Sequence, residues 1–353
     1  MKRIAIYNTS LQMGGISKSL ICFLSAMQFK NYEFDLYLFK NKNEHEVDVN
    51  YKNLNINIIK VNPILARWAS IIPFSILMRL NYKNISSKRY DYVIDYNGYN
   101  NLCAALALKT KSLKHVIWVH NDYYMRYKYN VKFRILWNLS KRKFSKFDEI
   151  VAVSQGALEG FKEKYRGTIK STKIIPNLVD VEDIIEKSRI DVDIETNDKY
   201  CVVSVANLCK AKQVDRQIEI MKEVKSKRED ICLYVIGEGK ERKHLERMVK
   251  KNHLEKDVIF LGRQVNPYKY MSKMDGLIFT SAYEGQGIVV REAQVLGLDL
   301  FIESQLKDYN EGIDVSEDLT NDLVMATKKE EKKINQLLDY LSDIEAGIEQ
   351  LLG

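Results

Sequence analysis

Short runs of apolar, often β-branched residues alternate with amphipathic stretches along most of the chain. In the first half, these runs predict strands over residues 3–8, 32–39, 55–60, 92–95, 115–120, 149–154 and 173–175. The stretches between them predict helices over residues 16–27, 100–108, 133–144 and 155–164. Such an alternation of strands and helices predicts a parallel sheet that is covered by helices on both faces.

The alternation is interrupted after Pro176 and then starts again. Residues 181–199 are charged and weakly periodic, which indicates a linker or a surface excursion. Beyond them, strands are predicted over residues 200–206, 231–237, 258–261 and 276–280, and helices over residues 215–225, 241–252 and 288–296. We therefore predict two doubly wound α/β domains, residues 1–178 and 179–334, and a final helix of about 335–353 that could pack back on the first domain.

Composition supports two globular domains and indicates a reducing compartment. A chain of 353 residues is long for one core, and 46% hydrophobic with 29% charged residues is typical of a folded protein. The apolar run near the first residue is too short for a signal peptide, and Arg67, Pro73 and Arg79 interrupt the most apolar stretch. We expect a cytoplasmic protein with five unpaired cysteines, at positions 22, 103, 201, 209 and 232.

The charge is distributed unevenly between the two halves. Residues 1–180 contain 29 Lys and Arg against 13 Asp and Glu, whereas residues 181–353 contain 26 against 34. A basic half suggests an anionic partner, and the aromatic and basic stretches 65–80 and 123–147 are compatible with an anionic membrane. They are equally compatible with amphipathic helices that pack on the domain. Nucleic acid is not expected, because no recognition fold is visible.

The segment with the clearest chemistry is SAYEGQGIVVREAQVLG, residues 281–297. It follows a predicted buried strand and leads into a helix whose apolar positions 288, 289, 295 and 296 are expected to face a core. Glycines before a helix let backbone N–H groups approach a ligand, and the helix N-terminus favours negative charge. The residues concerned are Glu284, Gly285, Gln286, Gly287, Ile288 and Glu292. An ordinary strand, loop and helix with surface acids is the alternative interpretation.

This segment resembles the Glu-x7-Glu motif of family 4 of the retaining glycosyltransferases, which have the GT-B fold. The resemblance implies two Rossmann-like domains that face each other across a cleft, with a nucleotide sugar as co-substrate and no metal or other cofactor. It implies that Glu284 lies beside the donor sugar and that Glu292 binds the ribose hydroxyls. The backbone from Gly285 to Ile288 would contact sugar hydroxyls and phosphate.

Further segments match the same family in the same order. Gly14 and Gly15 follow the first strand, and the resemblance implies that their loop approaches the donor phosphates or the acceptor. His120 closes a buried strand at the position where the family has a histidine beside the reacting sugar. A tight turn and a structural histidine are the alternatives for these two segments.

The family normally grips the donor diphosphate with an arginine and a lysine. Lys212 matches the lysine, whereas Asn207 stands at the arginine position, which is expected to weaken stabilisation of the leaving group. Glu238 would lie near the nucleoside. Asp191 and Asp193 form an Asp-x-Asp pair of the kind that binds a divalent cation in another transferase fold, but they lie in the charged linker and are taken as a chance match.

The resemblance implies a metal-independent glycosyltransferase that transfers a sugar with retention of anomeric configuration. UDP is the commonest leaving group of the family, and the expected acceptor is a glycan or lipid-linked glycan of a cell-surface polysaccharide. Two alternatives remain open: a non-catalytic GT-B partner subunit of another transferase, suggested by Asn207, and a nucleotide-sugar epimerase. A dinucleotide oxidoreductase is not expected, because the first strand–helix turn lacks Gly-x-Gly-x-x-Gly.

Overall fold

A computed structural model describes residues 1–11, 14–39, 51, 53–69, 71–82, 86–194, 196, 199–329 and 331–353. The chain folds into two compact units. The first unit contains Met1–Leu178 together with Asp339–Gly353, and the second contains Val179–Leu338.

The first unit is built on a seven-stranded parallel sheet of order β3-β2-β1-β4-β5-β6-β7. Its strands are β1 (Lys2–Asn8), β2 (Tyr32–Leu38), β3 (Leu54–Ile58), β4 (Tyr90–Asp95), β5 (Ser112–Val119), β6 (Glu149–Ala152) and β7 (Thr172–Ile174). Its helices are α1 (Gly15–Met27), α2 (Pro63–Trp68), α3 (Phe74–Arg79), α4 (Asn101–Lys109), α5 (Tyr123–Tyr129), α6 (Val131–Ser140) and α7 (Gln155–Lys164), and a 3-10 helix follows α6 at Lys141–Lys146.

The second unit is built on a five-stranded parallel sheet of order β10-β9-β8-β11-β12. Its strands are β8 (Tyr200–Val205), β9 (Ile231–Ile236), β10 (Val258–Gly262), β11 (Gly276–Phe279) and β12 (Asp299–Ile302). Its helices are α8 (Val181–Ser188), α9 (Val214–Lys225), α10 (Arg242–Lys251), α11 (Tyr268–Met271), α12 (Ile288–Val295) and α13 (Leu319–Met325), with 3-10 turns at Lys210–Lys212 and Ser304–Tyr309. The prediction of two doubly wound α/β domains is confirmed.

The central strands of both sheets are buried on both faces. Ile4, Ala5 and Ile6 of β1 have no exposed surface, and all six residues of β9 are buried. Strands of this kind read as continuous apolar runs because helices cover both faces of a parallel sheet. This is why the sequence pattern located them.

Helix α14 (Leu338–Leu352) belongs to the first unit for nearly its whole length. Ile344, Ile348 and Leu351 are buried in the core of that unit. Lys2 Nζ donates to the carbonyl oxygen of Leu352 at 2.8 Å, and Lys30 Nζ lies 2.7 Å from a carboxylate oxygen of Glu349. The last helix is therefore tied to the end of the sheet at which β1 and β2 begin.

Three local predictions were wrong. The expected linker 181–199 begins with helix α8, which buries Val181 and Ile184 and is capped by Asp180. Positions 288 and 289 of α12 are only half-buried, and Val290 and Ala293 face the core instead. Helix α14 begins at Leu338, about three residues later than predicted.

Candidate functional site

The strand order of the second sheet brings two loops together. Strands β8 and β11 are neighbours, but the chain continues from β8 to β9 in one direction along the sheet and from β11 to β12 in the other. Ligands of open α/β sheets bind at such a switch point. The backbone N–H of Ala282 donates to the carbonyl of Ala211 at 2.8 Å, and the Thr280 hydroxyl donates to the carbonyl of Gln213 at 3.1 Å. These bonds join the loop after β11 to the loop after β8.

Lys212 and Glu284 form an ion pair across this junction. Lys212 ends the 3-10 turn that follows β8, and its ammonium also lies 5.9 Å from the centre of the Phe279 ring. The Glu284 carboxylate is almost fully buried, whereas the lysine side chain is about one quarter exposed, at 27%. A partly accessible cation therefore lies beside a buried carboxylate.

Helix α12 begins next to this ion pair without a side-chain cap. Gly287 is its N-cap residue, Ile288 its first residue, and Gly285 and Gln286 precede them in the loop. A Cβ at Gly287 would lie 2.9 Å from the Phe279 ring and 3.0 Å from Asn310 Oδ1, so a larger residue would displace its neighbours. The positive end of the helix dipole and the Lys212 ammonium both favour the binding of an anion at this position.

Glu292 lies one turn into α12 and is buried. The Tyr268 hydroxyl donates to Glu292 Oε1 at 3.4 Å. Tyr268 was not predicted from the sequence, since a tyrosine at the start of a four-residue helix has no distinguishing pattern. The contact places Glu292 against α11.

Asn207 and Glu238 lie on the loops after β8 and β9, which are joined through Leu208. The N–H of Leu208 donates to the Glu238 carbonyl at 2.9 Å. Asn207 is exposed, and the Glu238 carboxylate, also exposed, lies 3.3 Å from the Arg242 guanidinium. Gly237 has φ +141°, and a Cβ there would lie 1.8 Å from the Ala206 carbonyl oxygen, so the two loops approach closely only because of glycine.

The first sheet has its own switch point between β1 and β4. The N–H of Tyr96 donates to the carbonyl of Tyr7 at 3.1 Å, and Asn97 Nδ2 donates to Asn8 Oδ1 at 3.1 Å. Neutral amides therefore join the loops after these strands.

Gly14 and Gly15 lie at the start of α1, on the same loop as the end of β1. Gly14 is the N-cap residue and makes no side-chain capping bond, and both glycines are exposed. Nothing lies within 4 Å of a Cβ built at Gly15. Gln12 and Met13, which belong to the matched segment, lie outside the described residues.

His120 follows β5 and contacts the loop after β4. Its Nε2 lies 2.8 Å from the carbonyl oxygen of Tyr96, so this nitrogen carries the proton and donates it. Burial lowers the pKa of His120 to about 4. The imidazole is therefore neutral near pH 7, and its Nδ1 carries a lone pair.

Asp95, at the end of β4, is hydrogen-bonded to the backbone of the same loop. One of its carboxylate oxygens accepts the N–H groups of Asn97 and Gly98, each at 3.2 Å. Burial raises the pKa of Asp95 to about 6, against the opposing effect of the Lys143 charge, and burial lowers the pKa of Lys143 to about 8. Asp95 was not singled out from the sequence, although an acid at the end of a buried strand is a signal of this kind.

Among the described residues, no group of three or more His, Cys, Asp or Glu is arranged to hold a metal ion. Asp191 of the Asp-x-Asp pair lies 3.1 Å from the Lys273 ammonium. Every helix in the described part of the chain is too short or too polar to cross a lipid bilayer.

Two family models match the chain in succession. "Glycosyltransferase Family 4" matches residues 13–183, and "Glycosyl transferases group 1" matches residues 186–304. A transferase of Campylobacter jejuni is 33% identical over 42% of this chain and 40% of its own length. Its name describes it as an N-acetylgalactosamine-N,N'-diacetylbacillosaminyl-diphospho-undecaprenol 4-alpha-N-acetylgalactosaminyltransferase. The O-antigen biosynthesis glycosyltransferase WclY of Escherichia coli is 30% identical over 51% of this chain and 50% of its own length.

Solved structures share the fold over nearly the whole chain. HepE of Anabaena, solved in complex with UDP and glucose, superposes with a TM-score of 0.62 at 16% identity, over 99% of this chain and 91% of its own. The predicted GT-B fold is confirmed by this likeness. This chain spans only 40 to 60% of the length of the first curated relatives that it matches.

Proposed function

We propose that this chain, which belongs to glycosyltransferase family 4, is a retaining transferase that moves a sugar from a nucleotide donor to a hydroxyl group. The observation that carries the proposal is the Lys212–Glu284 ion pair beside the uncapped start of α12. The lysine and the positive end of the helix suit the diphosphate of a nucleotide sugar, and the carboxylate suits the hydroxyl groups of its sugar. The preferred donor is a UDP-sugar, by analogy with HepE, which has also been solved in complex with UDP-glucose.

The second unit would bind the donor through three contacts. Lys212 and the N–H groups at the start of α12 would hold the diphosphate, whose charge offsets that of the lysine. Glu284, released from Lys212, would accept hydrogen bonds from the sugar hydroxyls, and Glu292 would accept them from the ribose.

In the transfer step, the bond between the anomeric carbon and the diphosphate oxygen breaks, and the acceptor oxygen forms the new bond on the same face. The acceptor proton passes to the departing diphosphate. Lys212 stabilises the charge that develops on that leaving group. His120, neutral with a free lone pair on Nδ1, would accept a hydrogen bond from a sugar hydroxyl.

The test compares Glu284→Ala with Glu255→Ala, an exposed acid away from both switch points. A panel of nucleotide sugars is first screened by thermal shift, because a bound donor raises the apparent stability of the protein. Release of nucleoside diphosphate is then measured with the donor that binds. We expect Glu284→Ala to lose activity while keeping its fold, as judged by circular dichroism, and Glu255→Ala to keep both activity and fold. Wild-type activity in Glu284→Ala would refute the assignment.

A second candidate function is that of a non-catalytic partner of another transferase. Asn207, exposed where the family has an arginine, favours this alternative because one cation for the leaving group is missing. A donor that stabilises the purified protein but is neither transferred nor hydrolysed would support it. An epimerase would instead interconvert the free donor with no acceptor present.

The proposed acceptor is a glycan or lipid-linked glycan of a cell-surface polysaccharide. The names of the C. jejuni and E. coli relatives refer to a diphospho-undecaprenol acceptor and to O-antigen synthesis, respectively. We place the protein in the cytoplasm, at the inner face of the membrane, where such an acceptor and the nucleotide donor meet.

A further inference from the structure

One segment of the first unit, residues 123–147, is rich in lysine and arginine and contains no acid. Residues 123–147 contain eight Lys and Arg and no Asp or Glu. From residue 49 to residue 147 the only acids are Asp91, Asp95 and Asp122. Asp95 and Asp122 are buried, and Asp91 accepts the backbone N–H of Arg3 at 2.8 Å. These acids therefore do not neutralise the outer lysines and arginines.

Apolar side chains project from the same segment. Tyr129, Val131 and Ile135 are 58%, 66% and 63% exposed. Val131 and Ile135 lie four residues apart on α6 and so share one face, whereas Phe133 and Trp137 of the same helix are buried. We call the exposed side chains of α5, α6 and Lys141–Lys146 the basic apolar surface.

This surface rests on a rigid aromatic base. The Tyr123 ring stacks on Phe133 with centroids 5.4 Å apart and contacts Trp137 at 5.5 Å. Arg134 fixes the junction between α5 and α6 by donating to the carbonyl of Lys128 at 2.7 Å. The outer residues are therefore not needed for the core, and their replacement is expected to leave the fold intact.

Helix α3 extends the surface, because it contacts the Lys141–Lys146 turn. Ile71 and Ile76 beside and on this helix are about half exposed, and Trp68 of α2 is exposed to a similar extent. Basic residues around exposed aliphatic and tryptophan side chains are the combination that lies at the boundary of headgroups and acyl chains.

We propose that the basic apolar surface binds an anionic lipid membrane peripherally. Anionic headgroups would neutralise Lys132, Lys141 and Arg142, which form no ion pair within the described part of the chain. Val131 and Ile135 would enter the acyl boundary. A nucleic acid would use the charges but leave these aliphatic side chains in water, which is why a membrane is the better fit. The proposal requires no sugar transfer.

The test measures binding of the whole protein to phosphatidylcholine vesicles with and without phosphatidylglycerol, in the absence of donor and acceptor. Wild-type protein should bind the anionic vesicles and be released by high salt, since salt screens surface charge. The triple variant Lys132→Gln, Lys141→Gln, Arg142→Gln should bind roughly a hundredfold more weakly. Its matched control is Lys250→Gln, Lys251→Gln, Lys256→Gln, three exposed lysines of the second unit, which should bind like wild type.

The apolar contribution is tested by Val131→Ser with Ile135→Ser. Each substitution should weaken vesicle binding on the order of tenfold without changing the melting temperature. Equal loss in the control lysine variant, or equal binding to neutral and anionic vesicles, would overturn the proposal. Binding to heparin or RNA without binding to anionic vesicles would also overturn it, because the surface would then bind a soluble polyanion.

Discussion

The two switch points bring their polar residues together by different interactions. At the first, neutral amides and a neutral imidazole join the loops, and the Asp95 carboxylate lies buried beneath them. At the second, an ion pair of Lys212 and Glu284 joins loops that are 72 positions apart in the sequence.

This difference teaches which switch point can exchange partners. An ammonium beside a carboxylate can leave it for a diphosphate at little cost, because each group keeps a charged or hydroxyl partner after the exchange. The neutral hydrogen bonds around Tyr96 and His120 offer no such exchange and instead fix a shape. We infer that the second unit responds to its ligand and that the first is preorganised.

Removal of the cation should have the largest effect. Lys212→Ala is expected to lower kcat by about 10²–10³, the usual cost of losing one group that stabilises developing charge. Lys210→Ala, on the same 3-10 turn and exposed, should lose less than about tenfold. Steady-state release of nucleoside diphosphate measures both. The reverse order would move the cation of the site to Lys210.

Acid should destabilise the first switch point through His120. The folded-state pKa of about 4 lies below the ordinary value of 6.5, so the unfolded chain takes up the proton first as the pH falls. Stability attributable to His120 is therefore complete above pH 6.5 and falls by about 3 kcal/mol by pH 4. Urea unfolding at several pH values should show a steeper loss in wild type than in His120→Gln. Parallel pH curves would contradict this prediction.

Replacing a glycine should lower the free energy of unfolding more in the first unit than in the second, by a smaller amount than the effects above. Gly98 has φ +62°, and a Cβ there would lie 2.1 Å from the Trp118 carbonyl oxygen. Gly312 of the second unit has φ +71° with nothing within 4 Å of its Cβ position. Gly98→Ala combines strain with a backbone clash and should cost about 2–3 kcal/mol, whereas Gly312→Ala should cost about 1. Chemical denaturation compares them, and equal losses would show that the loop after β4 can relax.

The smallest effect should come from adding a charge. Asn207→Arg would add an arginine where the resemblance implies one, at an exposed position on the loop after β8. We expect donor binding to tighten by about threefold to tenfold, because an exposed charge gains little in water. Isothermal titration with the donor identified by thermal shift measures this change. No change would place position 207 away from the diphosphate.

Periodicity predicted the elements best where burial was greatest. Helix α7 was predicted with its observed bounds, Gln155–Lys164, because its buried and exposed positions alternate clearly. Helix α8 was missed because only Val181 and Ile184 are buried in eight residues, too few to outweigh the surrounding charges. Strand β12 was missed because it has four residues, of which two are buried.

For the site, sequence reasoning named individual residues but not their partners. Lys212 and Glu284 were each identified, yet their ion pair depends on which strands are neighbours, and strand order is not determined by local pattern. Tyr268 was missed for the same reason, since it matters through its contact with Glu292 on another helix. Asp95 accepts N–H groups of its own loop, so the acid at the end of a buried strand was a local signal that could have identified it.

Helix α14 imposes an order on biosynthesis. Its apolar face completes the core of the first unit, and its end is tied to Lys2. During synthesis of the second unit, the apolar side chains of residues 1–178 that contact Ile344 and Ile348 in the folded protein therefore stay uncovered. The core of the first unit can therefore be completed only after residues 179–337 have been made, and a fragment that ends before residue 338 is expected to expose apolar surface and to aggregate.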